Sequence, residues 1–154
     1  MRVTEARDLE RTYREHGRGL WRAILAFSGD PEVASDAVAE AFAQALRRGT
    51  ELHDPVRWLW KAAFRIAAGE LKERRRYGEE HVGGSYELPE EAIALGSVLR
   101  RLPAKQRAVV VLHYYSDIPN ERIAEVLGIT RATVRVHLSQ GRRRLKRLLE
   151  DEDA

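Results

Sequence analysis

Residues 119–149 read PNERIAEVLGITRATVRVHLSQGRRRLKRLL. Their apolar residues recur at helical spacing on both sides of Gly128, so the stretch predicts two helices broken by a tight turn. A helix-turn-helix needs a small residue where its two helices cross, a turn residue tolerant of positive φ, and apolar anchors on the second helix. Ala124 is that small residue, Gly128 follows four positions later, and Val134 lies ten beyond Ala124. Ile123, Leu127, Ile129 and Leu138 complete the set predicted to be buried. Thr130 is placed to cap the second helix and to meet a phosphate. Arg131, Thr133, Arg135, Val136, Ser139 and Gln140 then point outward, a mixture suited to phosphates and major-groove base edges. Any two-helix corner can show Ala and Gly at this spacing. Such a corner does not account for the charge: residues 126–149 hold Arg131, Arg135, Arg142, Arg143, Arg144, Lys146 and Arg147 and no acid. A basic block on a helix is the footprint expected of a phosphate-binding surface.

Upstream, the pattern stays helical, with no alternating run that would predict a strand. A first amphipathic stretch, about 4–28, ends at Ser28-Gly29. Asp30-Pro31 supplies a cap and a first-turn proline for a second helix to about Arg48, closed by Gly49. Asp54-Pro55 repeats the device for a helix over about 56–76. Three helices with short connections predict a small bundle. Residues 77–90 lose the periodicity and contain Gly78, Gly83, Gly84, Ser85 and Pro89, the composition of a flexible linker. Helical signal returns at about 90–101 and 104–115. The fold class is therefore all-α: two small helical domains, 1–77 and 92–154, joined by an acidic flexible linker, 78–91.

Composition narrows the function. The 154 residues are 44% apolar, enough for a packed core, and their net charge is only +3. The absence of cysteine excludes a disulfide framework and thiolate chemistry. His16, His53, His81, His113 and His137 lack metal-ligand spacing, and Gly83-Gly84 lacks the strand and helix that frame a phosphate loop. Neither an enzyme nor a cofactor is expected. The first residues carry no apolar signal core, and runs such as Ala108–Leu112 are too short to span a bilayer, so a cytoplasmic protein without membrane insertion is the expectation.

The segment 99–149 resembles region four of the extracytoplasmic-function (ECF) sigma factors of the sigma-70 family. The resemblance rests on Arg101–Pro103, Gln106-Arg107 ahead of an apolar run, Tyr114-Tyr115, the Ile123–Ile129 stretch and Thr133-Val134. It implies that this module reads the upstream (minus-thirty-five) promoter element. Arg135, Val136, Ser139 and Gln140 would then face bases, with Thr130, Arg131, Thr133 and Arg143 nearer the backbone. Gln140 and Gly141 stand where the family usually has arginine and alanine, which implies an altered base preference.

The first module is similar to region two. Asp36, Glu40 and Phe42 fall in register in 29–46, although Ala39 stands where glutamine is common. In relatives this helix docks on the beta-prime clamp helices of core RNA polymerase, and the second module meets the beta flap. Asp36, Glu40 and Gln44 share one helix face by spacing alone, and the same acids would serve as plain solubilising residues. Pro55, Trp58, Leu59, Trp60 and Lys61 match the family signature of the next helix, while Arg65 and Gly69 replace its usual asparagine and aspartate. That helix implies capture of the opened downstream (minus-ten) strand. Trp58, Trp60, Lys61 and Arg65 would supply aromatic faces and a cationic groove. Two tryptophans at i and i+2 cannot both face one core, so one is predicted at the core and one at its edge.

Taken together, the resemblance implies a sigma factor that binds core polymerase and promoter DNA, with an anti-sigma factor as an admissible further partner. A stand-alone helix-turn-helix regulator explains the C-terminal half equally well, and predicts duplex binding without polymerase. A pure interaction module is a third reading, in which the arginines of 131–147 would be dispensable. The acidic linker and the acidic tail, 150–153, could also fold over the basic helix in the free protein, which requires real contact because exposed charges beyond about 8 Å are screened.

Overall fold

The computed structural model describes residues 3–49, 52–77, 90–116 and 118–153. Helices α1 (Val3–Ser28), α2 (Pro31–Arg48) and α3 (Pro55–Arg76) form one unit; α4 (Glu90–Leu99), α5 (Ala104–Tyr115), α6 (Asn120–Leu127) and α7 (Arg131–Asp153) form the other. No strand occurs among the described residues. The all-α expectation and the two helical units are as read from the sequence. Most of the expected linker, residues 78–89, lies outside the described residues, and α4 already begins at Glu90.

Local chemistry sets the boundaries. Asp30 Oδ1 accepts from the backbone N–H of Glu32 at 2.9 Å and of Val33 at 3.4 Å, and Pro31 opens α2 with its φ preset. Asp54 does the same for α3 through the Arg57 N–H at 3.2 Å. Gly49 ends α2 at φ 55°, where a side chain would be strained. Along α2, the buried face is rich in alanine (Ala34, Ala37, Ala41, Ala45), which lets α1 and α3 approach closely on either side. Leu20, Ile24 and Phe27 of α1 and Leu59, Trp60 and Phe64 of α3 fill the space between. Each such side chain contributes about 1.5–3 kcal/mol on burial.

A buried ion pair locks this bundle end to end. Arg74, near the end of α3, donates to Asp30 Oδ2 at the start of α2 and to Glu70 at 3.1 Å. Asp30 is buried, so its charge is compensated by one cap and one guanidinium. Burial, and then the facing Asp36 carboxylate, push the Glu70 carboxyl above its ordinary range.

In the second unit, Val109–Leu112 of α5 are buried without exception. Helix α7 lies against them at Gly141, where an added methyl would come within 2.8 Å of Val110 Cγ2. The buried residues of the two units form one continuous cluster. Helix α1 packs on α4 and α5, and α3 packs on α6. The units are therefore not independent beads: Arg107 of α5 is 4% exposed and sits 5.1 Å over the Phe27 ring of α1.

Asparagine caps a helix about as well as aspartate. Asp30→Asn is therefore expected to keep α2's start and lose only the ion pair, whereas Asp30→Ala loses both and destabilises by roughly a further 1 kcal/mol. Urea midpoints of the two variants check the order. Because Glu70 has a raised pKa in the folded state, folding favours its protonated form, and stability falls as pH rises through that raised range. Glu70→Gln is expected to exceed the parent in stability at about pH 8 and to match it at about pH 4, by the same measurement.

Candidate nucleic-acid interface

The turn between α6 and α7 has the predicted geometry. Gly128 adopts φ 69°, ψ 34°, the left-handed region, and the Ile129 N–H reaches back to Ala124 O at 3.0 Å. Thr130 Oγ1 accepts from the Thr133 N–H at 3.1 Å and lies 2.7 Å from the Thr133 hydroxyl, so it caps α7 as expected. Ile123, Ala124, Val134 and Leu138 are buried; Leu127 and Ile129 pack against them half-buried. With that face inward, Arg131, Arg135, Val136, Ser139 and Gln140 are exposed, and Thr133 is half-buried. Val136 is 51% exposed, an apolar group on the outward face of α7.

The basic block is not neutralised from within. Arg131, Arg135, Arg143, Arg144, Lys146 and Arg147 are exposed and make no ion pair among the described residues. Arg142 differs from the rest. Its Nε donates to the Tyr114 hydroxyl at 2.9 Å, its Nη2 faces His113 Nε2 at 3.0 Å, and its guanidinium lies over the Tyr114 ring. His113 Nδ1 in turn meets Asn120 Oδ1 at 2.7 Å, which ties the end of α5 to the start of α6. Gln140 Oε1 accepts from Gln106 Nε2 at 3.3 Å, so its outward orientation is held from α5. The side-chain contacts of Arg142 and Gln106 were not foreseen, since they join residues 28 and 34 positions apart.

The first unit brings some expected residues together and withdraws others. On α3, Trp58, Lys61 and Arg65 follow one stripe, with Lys61 and Arg65 exposed and Trp58 half-buried. Arg48 stands over the Trp58 ring at 5.3 Å. Trp60 is 5% exposed and stacks on Phe64 at 6.2 Å between centroids, so it is the core member of the pair. On α2, Asp36 and Glu40 are exposed, and Gln44 donates to Glu40 at 3.0 Å. That bond, followed by one from Arg47, holds the Glu40 carboxyl below its ordinary range. Phe42 is buried, with its ring edge-on to Tyr13 at 5.0 Å, and supports the helix from inside.

The acidic tail does not curl back over the first turns of α7. Helix α7 runs unbroken to Asp153, and Glu150 and Asp151 are exposed on it. A continuous helix cannot fold back on its own first turns. Among the described residues no group of acids, histidines or cysteines could hold a metal, and no helix is long and apolar enough to cross a membrane.

Known proteins resemble this chain along nearly its whole length. The family profile "Sigma-70, region 4" matches residues 92–145. The ECF RNA polymerase sigma factor SigL of Mycobacterium tuberculosis is 30% identical, over 97% of this chain and 93% of its own length. SigM of the same organism is 29% identical over 91% of this chain and 76% of its own. In fold, the chain is similar to the sigma factor RpoE in complex with the anti-sigma factor NepR from Bartonella quintana, at TM-score 0.81 and 19% identity over 93% of this chain and 97% of that one. CnrH in complex with the cytosolic domain of CnrY gives TM-score 0.76 and 22% identity, over 97% and 91%.

The αL turn makes a specific demand on position 128. Gly128→Ala is expected to destabilise the chain by about 1–2 kcal/mol although nothing crowds an added methyl there. Leu138→Ala, by opening a cavity under α7, is expected to cost about 2–5 kcal/mol, and chemical denaturation reads both.

Proposed function

The chain belongs to the ECF sigma factors of RNA polymerase, and from that premise we propose how its two units divide the work of starting transcription. The second unit (92–154) holds the upstream promoter element in the major groove through α7. Arg135, Val136, Ser139 and Gln140 meet base edges, while Thr130, Arg131, Thr133 and Arg143 grip the backbone. The observation that carries this reading is the row of cations on α7 that make no ion pair among the described residues, on a helix begun by the Gly128 turn and the Thr130 cap. Unpaired arginines on a rigid helix release counterions when they meet phosphate, which gives affinity, and the few groups that reach bases give choice.

The first unit (1–77) docks on the beta-prime clamp helices through Asp36, Glu40 and Gln44, with Phe42 holding that face in shape. Its α3 stripe, Trp58, Lys61 and Arg65, takes the opened downstream strand; Trp60 shapes the helix from the core. The chain supplies recognition and strand capture, not catalysis, which stays with the polymerase in the cytoplasm, and no cofactor enters. RpoE and CnrH are each seen with a partner protein, and a regulator of the anti-sigma kind that meets the beta-flap-facing unit or the bundle is part of this proposal.

Run-off transcription with core polymerase over a library of promoter fragments tests the reading. Specific initiation is expected only when the chain is present. Arg135→Ala is expected to lower it about 10- to 100-fold at the preferred promoter and to relax base preference. Lys146→Ala should weaken all promoters alike and reduce the salt slope by about one. Duplex binding by the chain alone, with no promoter fired, would favour the stand-alone regulator.

A further inference from the structure

Of Arg135, Val136, Ser139 and Gln140, only Gln140 has a side-chain hydrogen bond to another helix among the described residues. Gln106 Nε2, on α5, donates to its Oε1 at 3.3 Å. The two come within reach because α7 lies down on α5 at the very next residue. A methyl at Gly141 would fall 2.8 Å from Val110 Cγ2 and 3.6 Å from both Gln106 Cβ and Gln106 O. The Gln106 side chain therefore starts against the α7 backbone, one residue from the side chain it holds.

Gln106 keeps this pose at a cost to stability. Its own Oε1 is buried and has no partner among the described residues. A carbonyl that has given up water without gaining a donor destabilises the fold. An apolar side chain of similar length would pack at position 106 without that penalty. What an apolar side chain would not do is hold the Gln140 oxygen.

That hold decides what Gln140 offers a ligand. A side-chain amide carries its acceptor and its two-hydrogen donor on the same planar carbon. With Oε1 turned to α5, Nε2 is the end left free on an exposed residue. An unrestrained glutamine lays both ends on adenine, oxygen to N6 and nitrogen to N7. One whose oxygen is held aside only donates. The major-groove acceptors are N7 and O6 of guanine, N7 of adenine and O4 of thymine, whereas cytosine shows the N4 donor. Resting on the assignment of Gln140 to a base edge, we infer that Gln106 is a positioning residue for promoter choice. It fixes Gln140 as a donor, so guanine, with two adjacent acceptors, is the base favoured there and cytosine is the base refused. Gln106 acts wholly through Gln140.

Run-off transcription by core polymerase carrying the full chain, with two promoters competing in one tube, tests this. The ratio of the two products does not depend on how much of a variant is active. Gln140→Ala identifies the upstream base pair in question, as the one at which preference collapses. Gln106→Met removes the amide and keeps an unbranched side chain. It is expected to lower the guanine-over-cytosine ratio at that pair about three- to tenfold, the worth of one hydrogen bond, and to leave other pairs alone. Gln106→Glu is the sharper probe. A carboxylate only accepts, so Gln140 turns Nε2 toward it and shows Oε1 to the base, and the ratio is expected to move toward cytosine. A ratio at that pair that Gln106→Met leaves intact, whatever the total yield, would make Gln106 a packing residue and overturn the inference. A parental preference for cytosine there would overturn it too, since the amides would then be turned the other way round. If Gln140→Ala shifts no base pair, the base-reading assignment of Gln140 itself has failed, and the positioning role falls with it.

Discussion

Two aspartates each split their carboxylate between a helix they begin and an arginine far along the chain. Asp30 gives Oδ1 to the first turn of α2 and Oδ2 to Arg74, 44 residues away. Asp54 gives Oδ1 to the first turn of α3 and Oδ2 to Arg122, 68 residues away. One oxygen fixes a local boundary and the other fixes where another element lies against it. The two sites differ in surroundings. Asp30 is buried, where losing a partner strands a charge at a cost of about 3–5 kcal/mol; Asp54 is at the surface, where water takes over readily. The same device thus holds the bundle firmly and the two units loosely.

Arg107 gives the contact between the two units a second character, where α5 meets α1. It is a cation at the head of an apolar run, with one donor on Arg100 O at 3.2 Å, its face on Phe27, and its Nε without a partner among the described residues. Burial lowers its pKa, and Arg75 and Arg100 add repulsion. Among the described residues no carboxylate offsets it, so this contact is held by the aromatic face and one carbonyl while the guanidinium gives up its hydration. A junction of that kind favours neither permanent closure nor free separation.

Helix boundaries were legible because they are local: Asp-Pro pairs, Gly49 and Gly128 act within a turn of where they stand. The helix-turn-helix was legible because Ala124, Gly128 and Val134 encode a crossing within eleven residues. The edge-versus-core split of Trp58 and Trp60 followed from the helix period. What the sequence could not show were the second halves of bifunctional groups: Arg74 on Asp30, Arg122 on Asp54, Arg142 on Tyr114. Those pairings depend on how the chain returns in space, and many exposed arginines competed equally for each acid. The contact between the units was not legible either, because a flexible connection over 78–91 does not specify which faces of the two modules meet. Phe42 matched a docking signature by position, yet its burial against Tyr13 shows that a matched position can serve the helix behind the surface.

Gly141 has a mechanical consequence. Helix α7 spans about 34 Å at 1.5 Å per residue, and it lies close against α5 at this glycine, about 15 Å from Arg131. The rod is thus seated near its middle by this contact, and nearer its leading end by Val134 and Leu138, which are buried where α7 packs on α6. A tilt of about 10° at the contact would swing Arg131 by about 2.6 Å over that arm, close to the full length of a hydrogen bond. The direction of α7's first turns therefore depends in part on the close fit at Gly141, where an added methyl would press on Val110.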